Sequence, residues 1–150
     1  TYNGSHSRNL QMSGADDNLQ RALYAKLTGN APLMALIQGV YADVAQPDLP
    51  ESDSAFPYLV IGESIITASD TKTDDGGNAL CQMDVWSRSN NLLQVKQIGA
   101  AVRTALHHQS LTISGANHII TLFESGDYSR DPDGHTKRGL LRVRVTFDQI

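Results

Sequence analysis

Residues Leu80 to His108 read LCQMDVWSRSNNLLQVKQIGAAVRTALHH, and within them the hydrophobic period changes from two to 3.6. Cys81, Met83 and Val85 alternate with Gln82 and Asp84, the pattern of a strand with one buried face. Leu92, Val95, Ile98, Val102, Ala105 and Leu106 then recur at helical spacing. Gly99, Ala100 and Ala101 are small enough to let that helix approach a sheet closely, and Asn91 and Gln94 stand in capping-box relation at its start. A strand feeding a helix is a favoured place for chemistry in α/β enzymes. Here the junction is a short polar turn, with no glycine-rich phosphate loop, nucleophile elbow or metal-ligand spacing. The segment reads as scaffold, and the chain as a structural or binding module rather than an enzyme.

Further strands lie on both sides of it. FPYLVIGESIITAS, from Phe56, is β-branched and aromatic, with Pro57 at its first position where a missing donor does least harm. TKTDDGGN, Thr71 to Asn78, is turn chemistry, Asp75-Gly76 and Gly76-Gly77 supplying positive φ for a protruding hairpin. Downstream, Leu111–Ile113 reads as a short strand, Ser114–Asn117 as a turn, His118–Glu124 as a strand and Asp127–Lys137 as a long polar connection. In the last strand, Leu140–Phe147, Leu141, Val143, Val145 and Phe147 face one side and Arg142, Arg144 and Thr146 the other. Such strict alternation implies a sheet with one face open to solvent or to a partner.

Before the sheet, Asp16 and Asp17 suit a helix N-terminus, Leu19, Ala22, Leu23 and Leu27 follow helical spacing, and Thr28-Gly29-Asn30 ends the run. Pro32 opens a second, short helix through Ile37, Gly39 stops it, Val40–Ala45 is a candidate strand and Gln46–Ser54 a loop. The predicted fold is α+β: one two-layer domain over residues 16–150, a mostly antiparallel sheet with helices packed on one face. Residues 1–15 form a polar arm with almost nothing to bury, expected to lie on its own domain or, the preferred reading because so polar a segment gains little against its own core, on a neighbouring subunit.

A chain of 150 residues suits one domain. Its net charge of −4 argues against a freestanding nucleic-acid binder that works by neutralising phosphates. The single cysteine, Cys81, falls in a strand pattern and reads as a small buried hydrophobe. No apolar run is long enough to span a membrane, and the first residues lack the apolar core of a secretion signal, so synthesis in the cytoplasm is expected.

The candidate chemical sites are weak. His107 and His108 are adjacent on a helix, where side chains diverge by about 100° and cannot clamp one ion. Asp131-Pro132-Asp133-Gly134-His135 has the look of a cation loop but lacks the remaining ligands of one, and its Pro and Gly are ordinary turn formers. No serine lies in a G-x-S-x-G context. Glu63, Asp84 and Glu124 are carboxylates that strands can bring together, but solvated strand-face charges are the ordinary outcome. No catalytic, cofactor or metal residue is assigned. The one basic cluster is Lys137, Arg138, Arg142 and Arg144, with Asp127, Asp131 and Asp133 placed to neutralise it across a hairpin.

Three segments carry a resemblance. YSRDPDGHTKRGLLRVRV at Tyr128–Val145, FPYLVIGE at Phe56–Glu63 and MDVWSRS with IGAAVRTAL between Met83 and Leu106 resemble the tail-completion, or tail-terminator, proteins of siphophages and phage-like gene transfer agents. The similarity runs from about Asn18 to Phe147. It implies an α+β virion subunit, assembled in the host cytoplasm, forming a homohexameric ring at the head-proximal end of the tail tube. Such a ring stops tube growth and docks the head-completion, or stopper, protein, and DNA passes its lumen without sequence readout. It implies no cofactor and no membrane contact. The expected subunit or partner contacts are Thr71, Lys72, Asp74 and Asp75 in one hairpin, Asp127, Arg130, Asp131, Asp133, His135 and Lys137 in the second loop, and Arg142 and Arg144. Trp86-Ser87-Arg88 is expected to hold helix against sheet. A stopper or tube-type protein of the same apparatus is the alternative, and a small soluble enzyme the alternative from another class.

Overall fold

The computed structural model describes residues 17–42, 52–70 and 75–149. Helix α1 covers 17–28, and α2 is Ala31–Met34. Strand β1 is Val40–Ala42, followed after a short 3-10 turn at Asp53–Ala55 by β2 at Tyr58–Asp70 and β3 at Asp75–Ser87. Helix α3 is Leu93–Leu106, β4 is Ala116–Arg130 and β5 is Lys137–Gln149. The strands form one sheet in the order β1-β2-β3-β5-β4, antiparallel throughout except for the parallel β1–β2 pair. The arm at residues 1–15, the end of the expected strand at 43–45 with most of the loop after it, and the expected turn at 71–74 lie outside the described residues.

The expected alternation sets the core. Cys81, Met83 and Val85 on β3 and Leu141, Val143, Val145 and Phe147 on β5 are buried, and Leu19, Leu23 and Leu27 of α1 and Val95, Ile98, Val102 and Leu106 of α3 join them in one cluster. Asn30 caps α2, its Oδ1 accepting from the N–H of Leu33 at 3.0 Å. Helices thus cover one face of the sheet, as the sequence predicts, and among the described residues the other is open.

Five local expectations are corrected. Gly76 and Gly77 are not the turn: they are strand residues that pair in register with Ser69 and Ala68. Residues 111–113 form no strand, although Leu111 and Ile113 are buried, and β4 begins at Ala116 inside the expected turn. The long polar connection from Asp127 to Lys137 shrinks to residues 131–136, because β4 continues through Arg130 and β5 starts at Lys137. The Asn91–Gln94 capping box is replaced. Asn91 Oδ1 accepts from the N–H of Leu93 at 2.9 Å, while the side-chain carbonyl of Gln94 accepts from the buried hydroxyl of Ser87. That last bond ties the first turn of α3 to the end of β3.

The fifth correction is at the other end of α3. His107 leaves the helix at ψ 120° and His108 takes φ +60°, so the rings do not diverge but stack, with centroids 4.0 Å apart. The His108 N–H donates to the Thr121 carbonyl at 2.8 Å, and the Phe123 N–H donates to His107 Nδ1 at 3.0 Å. Both bonds take up the outer edge of β4, which would otherwise offer unpaired main chain there.

Protonating His107 Nδ1 would destroy its bond to Phe123. Partial burial, the His108 ring and Arg103 all hold the His107 pKa below 6.5, and burial with Lys26 lowers that of His118. Both imidazoles are therefore harder to protonate in the folded than in the unfolded chain. Their contribution is fully present above pH 6.5 and is lost as pH falls below that value toward their lower folded pKa values. The urea midpoint is expected to fall between pH 7 and pH 5, with His107→Gln flattening part of the slope. A midpoint that stays level or rises over that interval contradicts the assignment.

Candidate functional site

The open face of the sheet carries the charges that the sequence placed opposite one another. Outward residues of β5 reach both neighbouring strands. Arg138 Nη2 lies 2.8 Å from Asp84 on β3 and its guanidinium sits over the Trp86 ring at 5.3 Å. Arg142 pairs with Asp127 on β4 at 3.1 Å, and Arg144 with Glu124 at 2.7 Å. Thr146 donates to Asn78 at 2.7 Å. The pairs of Arg142 and Arg144, open to solvent, add little stability and serve register and partner selection more. The expected neutralisation of the arginines is met by Asp127, whereas Asp131 and Asp133 do other work.

The β4–β5 turn is built around Asp133. Its Oδ1 accepts from the N–H groups of His135 at 2.9 Å and Thr136 at 2.8 Å, and its second oxygen accepts from the Thr136 hydroxyl. These donors, the Thr136 hydroxyl first, hold the Asp133 carboxyl down at about 2. The Asp131 N–H donates to the Thr136 carbonyl at 2.8 Å, and Gly134 takes φ +86°, which an L side chain rarely adopts. The D-P-D-G segment is therefore a self-satisfied turn. Lys137 is buried, its ammonium donating to the His135 carbonyl at 3.1 Å, and His135 and Arg130 are exposed at the two sides of the tip.

Trp86-Ser87-Arg88 works as a three-way junction. Ser87 holds α3 through Gln94. Trp86 lies on the opposite, open face beneath Arg138. Arg88 reaches away from both, to Asp53 at 2.7 Å, the Thr136 hydroxyl at 3.3 Å and the face of Phe56 at 4.3 Å. It thereby ties the 3-10 turn to the β4–β5 turn.

The expected contact residues fall into separate groups. Asp127, Arg142 and Arg144 meet on the open face; Asp131, Asp133, His135 and Lys137 gather at the turn with Arg130 beside them. Asp75 opens β3 opposite Asp70, and Thr71, Lys72 and Asp74 lie outside the described residues. Glu63, Asp84 and Glu124 form no carboxylate pair: Asp84 and Glu124 each hold an arginine. Among the described residues there is no cluster of three or more His, Cys, Asp or Glu placed to hold a metal, and no helix is long and apolar enough to cross a membrane.

Three surface features were missed from sequence: Ile65, 66% exposed, and Ile119 and Ile120, 53% and 36% exposed. The signal was present. Ile65-Ile66 puts apolar residues on both parities of a strand, so one of them turns away from the core, and Ile119-Ile120 lies at an irregularity of β4 that leaves both exposed.

Residues 21–148 match the family model described as tail completion protein gp17. The tail completion protein gp17 of Bacillus phage SPP1 is 28% identical over 130 residues, which span 87% of this chain and 92% of that protein. A chain from the virion of a native gene transfer agent particle shares the fold, with a TM-score of 0.75 at 23% identity over 87% of this chain and 94% of the other. The structure of the bacteriophage SPP1 gp17 protein matches with a TM-score of 0.57 at 27% identity, covering 88% and 90% of the two chains.

Proposed function

The chain belongs to the tail completion protein gp17 family, and from that premise we propose that it is the tail terminator of a tailed particle. It is a structural protein of the virion, not an enzyme, and its site is a surface for assembly. Six copies form a ring on the head-proximal end of the tail tube, end tube growth there and present a docking surface to the stopper protein. DNA passes through the lumen with no sequence readout. The family match over 128 residues, 21–148, carries this reading. The physical chemistry supports it. A net charge of −4 avoids gripping phosphates during passage. A sheet with one open face and two unlike edges suits head-to-tail closure into a ring.

Imaging particles made without this protein tests it. Tails of irregular length, or tails of normal length that fail to join heads, are the expected result. Normal tails joined to heads in its absence overturn the proposal. Copy number separates the terminator from a tube protein, since a terminator supplies one ring per particle and a tube protein many.

A further inference from the structure

A ring built from one kind of subunit must join two different patches, one on each side of the protomer, facing each other around the axis. The sheet supplies two such sides. The described part of β1 covers β2 only at Leu59–Ile61, so from Gly62 onward β2 is one edge among the described residues. The other edge is β4.

Each edge carries an exposed apolar feature, and the two lie within a few residues of each other along the sheet. Ile65 pairs with Leu80, Leu80 with Arg144 and Arg144 with Leu122, while two residues along, Thr67 leads through Asn78 and Thr146 to Ile120. On the β2 side, Ile65 is a knob. On the β4 side, Ile119 and Ile120 flank an open cleft of about 390 Å³ whose other walls include His108 and His118. The charges complement each other. Glu63 is exposed on the β2 edge, and Lys26 and Arg103 lie close enough to the histidines of the β4 edge to lower their pKa values.

A neighbour cannot simply add a strand to β4 at this level. The Thr121 carbonyl and Phe123 N–H are already taken by His108 and His107. What remains for a contact is side-chain packing into the cleft.

We propose that Ile65 of one copy seats in the cleft beside Ile119 and Ile120 of the next, so that the β2 and β4 edges form the head-to-tail contact of the ring. This rests on the ring reading above and names the faces that close it.

Engineered cysteines in assembled particles test the contact. Particles carrying Ile65→Cys with Ile119→Cys are oxidised and run without reductant. A ladder ending at the copy number of the ring is expected, at least tenfold stronger than in either single variant. The single variants also control for Cys81, which is buried. Ile65→Asp and Ile119→Asp should each lower incorporation into particles at least tenfold. Because both side chains are exposed, the melting temperature should stay within about 2 °C. A ring visible in the particles with no ladder, and with both aspartate variants incorporated normally, overturns the contact but leaves the ring standing. Dimers from a single-cysteine variant, like joined to like, overturn head-to-tail closure. Particles that hold no ring of this protein overturn the ring reading itself.

Discussion

Replacing Gly99 with alanine is expected to destabilise the domain by about 2 kcal/mol, against the usual preference of helices for alanine over glycine. In an exposed helix interior that change stabilises by about 1 kcal/mol. Gly99 instead lies under Tyr128. A Cβ at residue 99 would sit 2.0 Å from the Tyr128 hydroxyl oxygen and 2.9 Å from Cζ. The ring has nowhere to retreat. A Cβ on Gly126 would lie 2.8 Å from the same oxygen, and one on Gly139 would lie 3.1 Å from the ring carbons Cδ1 and Cε1. Three glycines from α3, β4 and β5 thus make one slot for one tyrosine. Burial of the ring raises the Tyr128 pKa. Overpacking costs about 1–3 kcal/mol and more where backbone must shift, so the clash outweighs the helical gain. At this size the melting temperature should fall by roughly 4–8 °C. Tyr128→Phe removes the nearest atom but not Cζ, so it should recover about half the loss in a double-mutant cycle. A Gly99→Ala protein more stable than the parent would show that the ring does not fill the slot.

Much of the architecture was readable because periodicity survives wherever a strand stays regular. The alternation in β3 and β5 gave both faces of the sheet, and the change of period after Ser87 gave α3. Reading failed where a bulge reset the parity. Register shifts fall between Ile61 and Ser64, between His118 and Ile120, and between Phe123 and Ser125. Each extra residue sends the following side chains to the opposite face, so a rule of twos counted from the strand start places them wrongly. Counted by twos from Leu59 and Ile61, Ile65 would face the core, whereas past the irregularity it is exposed. The second half of β4 reads as part of a polar connection because Asp127, Ser129 and Arg130 are polar, and Gly126 before them gives no strand signal. In fact Gly126 is a contact for Tyr128. The site followed the same division. Arg142 with Asp127 was legible from charge and proximity in sequence. The partners of Arg138 and Arg144, Asp84 and Glu124, depend on strand order and register, which no local pattern encodes.

Phe147→Ala is expected to cost about 3–5 kcal/mol, a large fraction of the roughly 5–15 kcal/mol typical of a domain. Phe147 is 1% exposed and sits at the end of the sheet where β3, β5 and β4 meet in register: Gly77 on one side of it, His118 on the other. Gly77 is the hollow that receives its ring. A Cβ there would lie 3.1 Å from Phe147 Cζ and 3.3 Å from the Thr67 carbonyl oxygen. This explains why the Asp-Asp-Gly-Gly sequence misleads. Glycine marks a turn when its φ is needed and a close approach when its missing side chain is needed, and sequence does not distinguish the two. The two causes separate experimentally. Gly77→Ala should destabilise the parent by about 1–3 kcal/mol, and less in a Phe147→Leu background, where the smaller side chain leaves room. Urea unfolding of the four proteins supplies the cycle. If Gly77→Ala costs the same in both backgrounds, the approach of the β2 backbone at Thr67, not the Phe147 ring, is what demands glycine. If the cost shrinks, the pair acts as one packing unit that closes the core beneath the β2–β3 hairpin.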